Sequence, residues 1–456
     1  MPSDAPDGAG SPAAGRRPRS VSLVRSLTYF VPSYGVAIGG YLAYSVVAGR
    51  ALGTAGFGYL MVILNVTALV GQLALLGVHR SGLREAASAD SDDELQQLRG
   101  GARAVMLVPV PVAAAATALG VAWWRGGDPR AWAAGAMAGV LVATAAYQKI
   151  SANFLRGLGH VQAASLVTGR SGGALIAVSQ ALCVLVVWLA VPSPGLLGVL
   201  AGTALGALVP LLWAGRVMRR SWPARPVRGR LFADLAHAAR RDWKFAVSQT
   251  GGFLNTSVEL WVAGALLTGH GTSLYAAGQR LAMLLNVPSS ALQVVFSPAL
   301  ARLARGHDRE RLQALVRTAA TLSTSAAGVL WLPMVLAPAA VLTLVYGPDF
   351  SEAAWALALL ATGLLLNAVS GLSGTTLSMA HHEGDVAVIT WVAVAVRAVA
   401  GALCAWQWGV VGLAASSTAV SAMVYAATWT RARMLLHVST HATLRPRWAL
   451  LRSTAG

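Results

Sequence analysis

Few charged side chains interrupt or end the apolar segments of this 456-residue chain. Glu259, Arg280 and Arg397 lie within three such segments, and Arg50 ends another. If these segments cross a membrane, a charge near the bilayer centre costs on the order of 2.5 to 3.5 kcal/mol, so such residues mark binding sites, ion pathways or buried pairs. We therefore take these four residues, together with Asn255, as candidates for substrate binding or ion coupling.

Polar residues follow one side of the segment at 245–267. They recur at helical spacings of three and four, which predicts one stripe: Ser248, Gln249, Gly252, Asn255, Thr256 and Glu259. Such a stripe cannot face lipid, so it must face a wet cavity or another helix. Two interpretations of Glu259 stay open. It forms an ion pair with Arg280 on the next helix, or it binds a proton or a sodium ion that biases a transporter between two states.

Arg397 has no acidic partner within its own segment. Its nearest carboxylate there, Asp385, is twelve residues away, which is about 18 Å along a helix. A guanidinium binds phosphate oxygens with two parallel hydrogen bonds, so an anionic ligand that enters the membrane interior is one explanation. A structural bond to backbone carbonyls or to Asn367 is the other.

The sequence gives little support to metal, cofactor or hydrolase chemistry. His381, His382, Glu383 and Asp385 occupy one short turn without a second cluster, so we expect solvated side chains and no metal site. The chain has no phosphate-loop pattern, no HExxH and no nucleophile elbow. We expect no cofactor, and any transport must use an ion gradient, the membrane potential or the substrate gradient.

The elements that must position these residues are apolar helices. With 56% hydrophobic and 11% charged residues, the chain does not have the composition of a soluble globular protein. Its apolar segments approach the ~20 residues that a helix needs to cross ~30 Å of hydrocarbon. They predict an all-α polytopic membrane protein with about 12 transmembrane helices. The segments lie at 27–49, 57–78, 104–124, 131–152, 165–191, 195–215, 245–267, 273–297, 318–345, 353–377, 386–406 and 409–430.

Nearly all Lys and Arg residues lie in alternate gaps between these segments. The opposite gaps hold only Arg50, Arg125 and Arg130, so the positive-inside rule places those gaps outside the cell and both termini in the cytoplasm. The formal charge of +18 is therefore mostly topological. Basic residues dispersed over short loops do not indicate a nucleic-acid partner, but they suit contact with anionic inner-leaflet lipid.

Short signatures recur in the same order in the two halves of the chain, which indicates an internal duplication. The pairs are 53–60 with 269–276, 92–107 with 309–322, and 194–205 with 408–419. Two six-helix lobes of the same orientation, with a site between them near mid-depth, are typical of transporters.

These patterns divide the chain into five regions. They are a disordered cytoplasmic tail at 1–20, an N-terminal six-helix lobe at 21–220, a basic cytoplasmic linker at 221–244, a C-terminal six-helix lobe at 245–434 and a cytoplasmic tail at 435–456.

Five stretches carry a family resemblance: GRALGTAGFGYL at 49–60, LYAAGQRL at 274–281, SPALARL at 297–303, YGPDFSEAAWAL at 346–357 and GVVGLAASS at 409–417. They resemble the polysaccharide-transporter branch of the multidrug/oligosaccharidyl-lipid/polysaccharide (MOP) exporter superfamily. The resemblance covers nearly the whole chain. It implies a flippase that moves lipid-linked oligosaccharides, such as O-antigen or teichoic acid units, from the inner to the outer leaflet of the cell membrane.

The same resemblance implies a V-shaped central cavity, cationic where it meets a pyrophosphate, and alternating access by rocking of the two lobes. Arg397 and Arg280, with Arg50 in addition, correspond to the cationic role by depth and charge, not by matched signature residues. The implied protein is a monomer with a polyprenyl-pyrophosphate glycan as substrate and with H+ or Na+ as the coupling ion, if there is one.

Two alternatives stay open. A cation-coupled multidrug exporter of the same superfamily needs buried acidic residues, yet the first six apolar segments contain no Asp or Glu. A glycan polymerase or ligase, or a non-transporting scaffold of a surface-polymer assembly, belongs to another class, and the duplication argues against the enzymes because they need no pseudo-symmetry.

Overall fold

The computed structural model describes residues 23–89, 91–167, 173–222, 231–305 and 309–443. The predicted tail at 1–20, the middle of the predicted linker at 221–244 and residues 444–456 of the predicted C-terminal tail lie outside these ranges. Throughout the described ranges the regular structure is helical and there is no β-strand. This confirms the predicted all-α class.

The first half of the chain forms helices that pack mainly on one another. Within the described ranges they are α1 Leu23–Ala74, α2 Val78–Ser88, α3 Asp92–Leu107, α4 Pro109–Trp124, α5 Pro129–Gly157, α6 Val161–Val167, α7 Ala174–Ala190 and α8 Gly195–Ser221.

The second half begins with a helix that starts inside the predicted linker. Its helices are α9 Leu231–Leu266, α10 Gly269–Ala282, α11 Asn286–Arg305, α12 Arg309–Leu336, α13 Pro338–Tyr346, α14 Ala354–Ser370, α15 Ser373–Met379 and α16 Glu383–Leu436, with short 3-10 helices at Met283–Leu285 and Pro348–Ala353.

Two of the helices are broken by glycine into two spans. Gly53 in α1 and Gly409 in α16 both have a φ of 59°, a conformation that glycine adopts without the steric cost of a Cβ. Without the break, the 54 residues of α16 would be roughly 80 Å long, far more than one membrane crossing requires. Six of the described helical segments are long and apolar enough to cross a membrane.

We name the two ends of the helical bundle after two glycines of the first half. The Gly53 end holds the break in α1, the α4–α5 turn and the break in α16, and Tyr59 packs against Trp124 there with ring centroids 5.4 Å apart. The Gly77 end holds the turn from α1 into α2. Helices of both halves contribute to the largest apolar core, whose fully buried side chains include Phe57, Tyr275 and Leu281.

Candidate functional site

Arg397 and Glu259 form a buried ion pair between α16 and α9. Arg397 Nη1 donates to Glu259 Oε1, and the two residues are only 6% and 4% exposed. The Glu259–Arg280 pair considered from the sequence is therefore wrong, and the acidic partner of Arg397 lies on another helix instead of within its own segment. Sequence distance concealed the partner, since the two residues are 138 positions apart.

The other polar atoms of the pair are also satisfied. Asn255 Oδ1 accepts from Arg397 Nε at 3.2 Å, and Ser421 Oγ accepts from Nη2 at 2.8 Å. Tyr275 of α10 donates its hydroxyl to Glu259 Oε2 at 2.9 Å. Buried charges that are paired and fully hydrogen-bonded are typical of a structural network, and this one joins α9, α10 and α16.

Three of these partners were not predicted as site residues. Tyr275 lies within the repeat signature at 269–276, but nothing in the sequence predicts that its hydroxyl donates to Glu259. Ser417 and Ser421 are spaced by four residues on α16, so they share a helix face, and Arg397 donates to both hydroxyls. Asn367, the partner considered from the sequence, instead donates to Asn286 Oδ1 at 2.9 Å.

The polar stripe of α9 faces in two directions. Asn255 and Glu259 face α16, which confirms that part of the stripe meets another helix. Gln249 instead meets the first half of the chain, because its backbone oxygen accepts from Gln72 Nε2 at 3.0 Å. Gly252 and Thr256 are exposed, and the side chain of Ser248 lies outside the described set.

Arg280 carries a charge without a carboxylate partner in the part of the chain that the structure describes. Its guanidinium lies over the ring of Tyr41, 4.7 Å from the centroid, so α10 of the second half meets α1 of the first half here. A cation–π contact compensates a cation only partly, worth about 0.5 to 2 kcal/mol. Arg280 therefore lies between the two halves with its charge only partly compensated.

Arg50 fastens the two halves together at the Gly53 end. Its Nη2 donates to Leu344 O at 2.6 Å and its Nε to Val345 O at 3.0 Å, the last carbonyls of α13. A cation suits the negative end of a helix dipole. Arg50, predicted as a cavity residue, thus links α1 to α13 and does not lie beside Arg280 or Arg397.

Further contacts close the Gly53 end between the halves. Gly58 N donates to Ser273 Oγ at 2.6 Å, and Ser45 Oγ lies 2.8 Å from Tyr346 OH. Phe57 packs on Tyr346 with ring centroids 5.5 Å apart. These contacts bring α1 directly against α10 and α13.

At the Gly77 end the halves are joined on one side. There α9 meets the first half, with Ser81 Oγ donating to the buried Asp242 Oδ2 at 2.7 Å and Arg241 Nη1 2.7 Å from Glu85 Oε2. On the other side, α11 packs mainly against α12, α14 and α15 of its own half.

No cluster of three or more potential metal ligands occurs in the part of the chain that the structure describes. The turn that carries His382 and Asp385 lies at the surface, where Asp385 approaches His382 at 3.7 Å and Arg431 at 3.6 Å. These side chains form ion pairs instead of converging on one point.

Known proteins resemble this chain in sequence and, more strongly, in fold. No protein-family model matches it. The "Probable low-salt glycan biosynthesis flippase Agl15" of Haloferax volcanii is 22% identical over 231 residues, which are 50% of this chain and 49% of that protein. The chain thus matches about half the length of this relative.

Two solved structures cover nearly the whole chain. An inward-facing multidrug resistance MATE family transporter of the MOP superfamily has a TM-score of 0.62 at 15% identity and covers 95% of this chain and 99% of its own. The lipid II flippase MurJ in an inward closed conformation has a TM-score of 0.66 at 12% identity, with coverage of 93% and 95%. The chain has the fold of the MOP superfamily.

The MOP fold and the six long apolar helices make the chain a multi-pass membrane protein. A further MOP superfamily transporter, from Pyrococcus furiosus, has a TM-score of 0.53 at 16% identity, and its structure is described as showing a reversed polarity of the binding pocket. The neighbours with this fold are therefore transporters and flippases. The charges of this chain's own residues must indicate what it binds.

Proposed function

We propose that this protein is a membrane flippase that moves a lipid-linked oligosaccharide from the inner to the outer leaflet of the cell membrane for surface glycan synthesis. Alternating access between two lobes moves the substrate. The similarity to a glycan biosynthesis flippase and to MurJ supports the glycolipid class. The contacts of Arg50 and Gly58 correspond to a state that is closed at the outer end.

The proposal includes twelve crossings in two six-helix lobes with both termini in the cytoplasm. Two matched glycine pairs support the duplication. Gly195 and Gly409, equivalent in the aligned signatures, have φ values of 57° and 59°. At Gly198 and Gly412, three positions later, a Cβ would overlap a neighbouring atom, Pro194 Cβ at 2.7 Å and Cys404 O at a still shorter distance.

This topology predicts which positions a membrane-impermeant thiol reagent reaches. In a chain with Cys183 and Cys404 replaced by serine, we expect Arg130→Cys to react in intact cells and Arg103→Cys to react only after permeabilisation. Both native side chains are exposed, at opposite ends of the bundle. Labelling of residue 103 in intact cells, with residue 130 protected, would reverse the proposed orientation.

We infer the class of substrate from the balance of positive and negative charge between the lobes. Glu259 is the one carboxylate within the predicted apolar segments, and Arg397 neutralises it. Arg280 has no carboxylate partner among the described residues and lies at the boundary between the halves. The net charge of Glu259, Arg397 and Arg280 together is positive, which suits a pyrophosphate and not a cationic drug.

We expect Arg280→Gln to abolish most transport without loss of the protein from the membrane. Removing a charge-assisted contact of about 1.5 to 3 kcal/mol lowers affinity for the anion about tenfold or more. Mass spectrometry of lipid-linked glycans in a deletion strain measures this: wild type clears the accumulated polyprenyl-pyrophosphate glycan, and Arg280→Gln at matched abundance does not.

Arg130→Gln is the matched control, since it removes an exposed charge from the Gly53 end and should complement fully. If the deletion strain accumulates no lipid-linked glycan, the flippase function is wrong. If Arg280→Gln clears the glycan as fast as wild type, the assigned role of Arg280 is wrong.

A cation-coupled multidrug exporter is the alternative, and the structural similarity to the MATE transporter favours it. That function needs a carboxylate free to bind H+ or Na+, whereas Glu259 accepts from Arg397 and Tyr275. Dye efflux that depends on a sodium or proton gradient, and that Glu259→Gln abolishes, would support the alternative over the flippase.

A further inference from the structure

Lys149 lies inside the bundle, and the charge asymmetry of the chain does not explain its position. It precedes Gly157, the last residue of α5, by eight positions, which places it about 12 Å from the helix end. Its ammonium points toward α1: Nζ donates to Gln72 Oε1 at 2.6 Å and lies 3.4 Å from Ala68 O. A lysine that only followed the positive-inside rule would extend its charge to water.

Two glutamines connect Lys149 to Arg80 and to the second half of the chain. Gln72 Nε2 donates to Gln249 O at 3.0 Å, and Arg80 Nη2 donates to Gln249 Oε1 at 3.3 Å. Lys149 Nζ also lies 5.5 Å from the ring centroid of Phe253 on α9. The two cations therefore meet at a junction of α1, α2, α5 and α9, where the two halves touch.

His79 adds a buried polar atom to the same junction. It is 4% exposed, and its Nδ1 has no hydrogen-bond partner among the described residues. Burial, followed by the positive charges of Lys149 and Arg80, lowers the pKa of His79 to about 3. The imidazole of His79 is therefore neutral near pH 7, and it adds no positive charge to those of Lys149 and Arg80.

The charge of this junction is not balanced by the protein. In the described part of the chain neither Lys149 nor Arg80 forms an ion pair with a carboxylate, and the nearest acidic residues are otherwise engaged: Glu85 with Arg241, and Asp242 with Ser81 and Arg241. Uncompensated cations with partly free donors bind anions, and a phosphate offers both the charge and several acceptor oxygens.

We propose that Lys149, Arg80 and His79 form a second phosphate-binding site, at the junction of the lobes near the Gly77 end and separate from Arg280. Its ligand is the diphosphate of the lipid-linked substrate at an early stage of transport, so this inference rests on the proposed function. Both lobes contribute to the site, because Gln249 and Phe253 belong to α9. A bound diphosphate thus stabilises the arrangement in which the halves touch at this junction, before the substrate reaches Arg280.

Binding of a defined lipid diphosphate to the full-length protein in nanodiscs tests the site. The probe is tritiated geranylgeranyl pyrophosphate at low salt, compared with geranylgeranyl monophosphate, and competitors are phosphatidylglycerol and inorganic pyrophosphate. We expect Lys149→Gln and Arg80→Gln each to weaken binding of the diphosphate about tenfold, the effect of one lost charge-assisted contact. Arg103→Gln, which removes an exposed charge near the same end, should change it less than about twofold.

The outcomes separate the site from the function. If wild type does not bind the diphosphate, the second site is wrong, whereas clearance of the lipid-linked glycan in the deletion strain still decides the proposed function. If wild type binds and only Arg280→Gln loses affinity, the function survives and the second site is wrong. If Arg103→Gln weakens binding as much as Lys149→Gln, the attraction is general surface charge and the site is wrong.

Competition identifies the source of the phosphate. Displacement of the probe by phosphatidylglycerol at similar concentration would assign the site to an anionic membrane lipid and overturn its role in substrate entry. Preference for the diphosphate lipid over the monophosphate lipid and phosphatidylglycerol supports that role, and full displacement by inorganic pyrophosphate alone shows that the diphosphate is what binds.

Discussion

Arg397→Ala should destabilise the protein by about 3 to 5 kcal/mol, the cost typical of breaking a buried ion pair. The substitution leaves Glu259, 4% exposed, as an uncompensated carboxylate between α9 and α16. Asn255 and Ser421 lose their guanidinium donor at the same time. The expected result is a large decrease in membrane abundance and in the thermal unfolding midpoint of the purified protein.

A double variant shows whether the instability of Arg397→Ala comes from the broken ion pair or from lost side-chain packing. Glu259→Gln with Arg397→Gln removes both charges at similar volume, so we expect it to be much more stable than Arg397→Ala. Arg433→Ala, an exposed cation on the same helix, should change the unfolding midpoint little. If the double variant is as unstable as the single one, lost packing and hydrogen bonds, and not the unpaired charge of Glu259, cause the instability. If Arg397→Ala is normally abundant but inactive, Arg397 contacts substrate and the structural role is wrong.

The contrast between Arg397 and Arg280 shows what the sequence could and could not predict. Hydropathy identifies Glu259, Arg280 and Arg397, because a charge in an apolar segment is rare at any position. It also predicts depth, and depth alone suggested Arg280 as the partner of Glu259. Pairing depends on which helices are neighbours, and α9 packs against α16, which follows it by more than a hundred residues. Helix adjacency in a bundle with long connections is not encoded locally.

The basic junction illustrates a second kind of omission. Arg80 and Lys149 belong to the basic residues that the positive-inside rule assigns to the cytoplasmic side, so the sequence pattern gives no reason to examine them further. Only the direction of the side chains, toward Gln72 and Gln249, separates these two cations from solvated loop residues. In contrast, Gly195 and Gly409 are matched in the repeat signatures and share a positive φ that other residues rarely adopt, although the signatures alone do not predict that conformation.

Gly58→Leu is expected to hold the two halves apart at the Gly53 end and to stop transport. A Cβ at this position would lie 2.7 Å from Ser273 N and 2.9 Å from Gly269 O, so a larger side chain separates α1 from α10. The hydrogen bond from Gly58 N to Ser273 Oγ is then lost as well. Overpacking of this kind costs about 1 to 3 kcal/mol in the closed state, which shifts the equilibrium toward the open state about 5- to 150-fold.

Distance measurements between spin labels test this shift directly. In a chain without Cys183 and Cys404, labels at Arg130 and Asp349 report the separation of the halves at the Gly53 end, where both residues are exposed. Gly58→Leu should lengthen the main distance and abolish glycolipid clearance. Gly120→Leu, whose Cβ would meet no atom within 4 Å, should change neither. Because an alternating-access transporter must populate both states, lost transport with an unchanged distance distribution would mean that Gly58 does not control closure, and the closed Gly53 end would then have no part in the transport cycle.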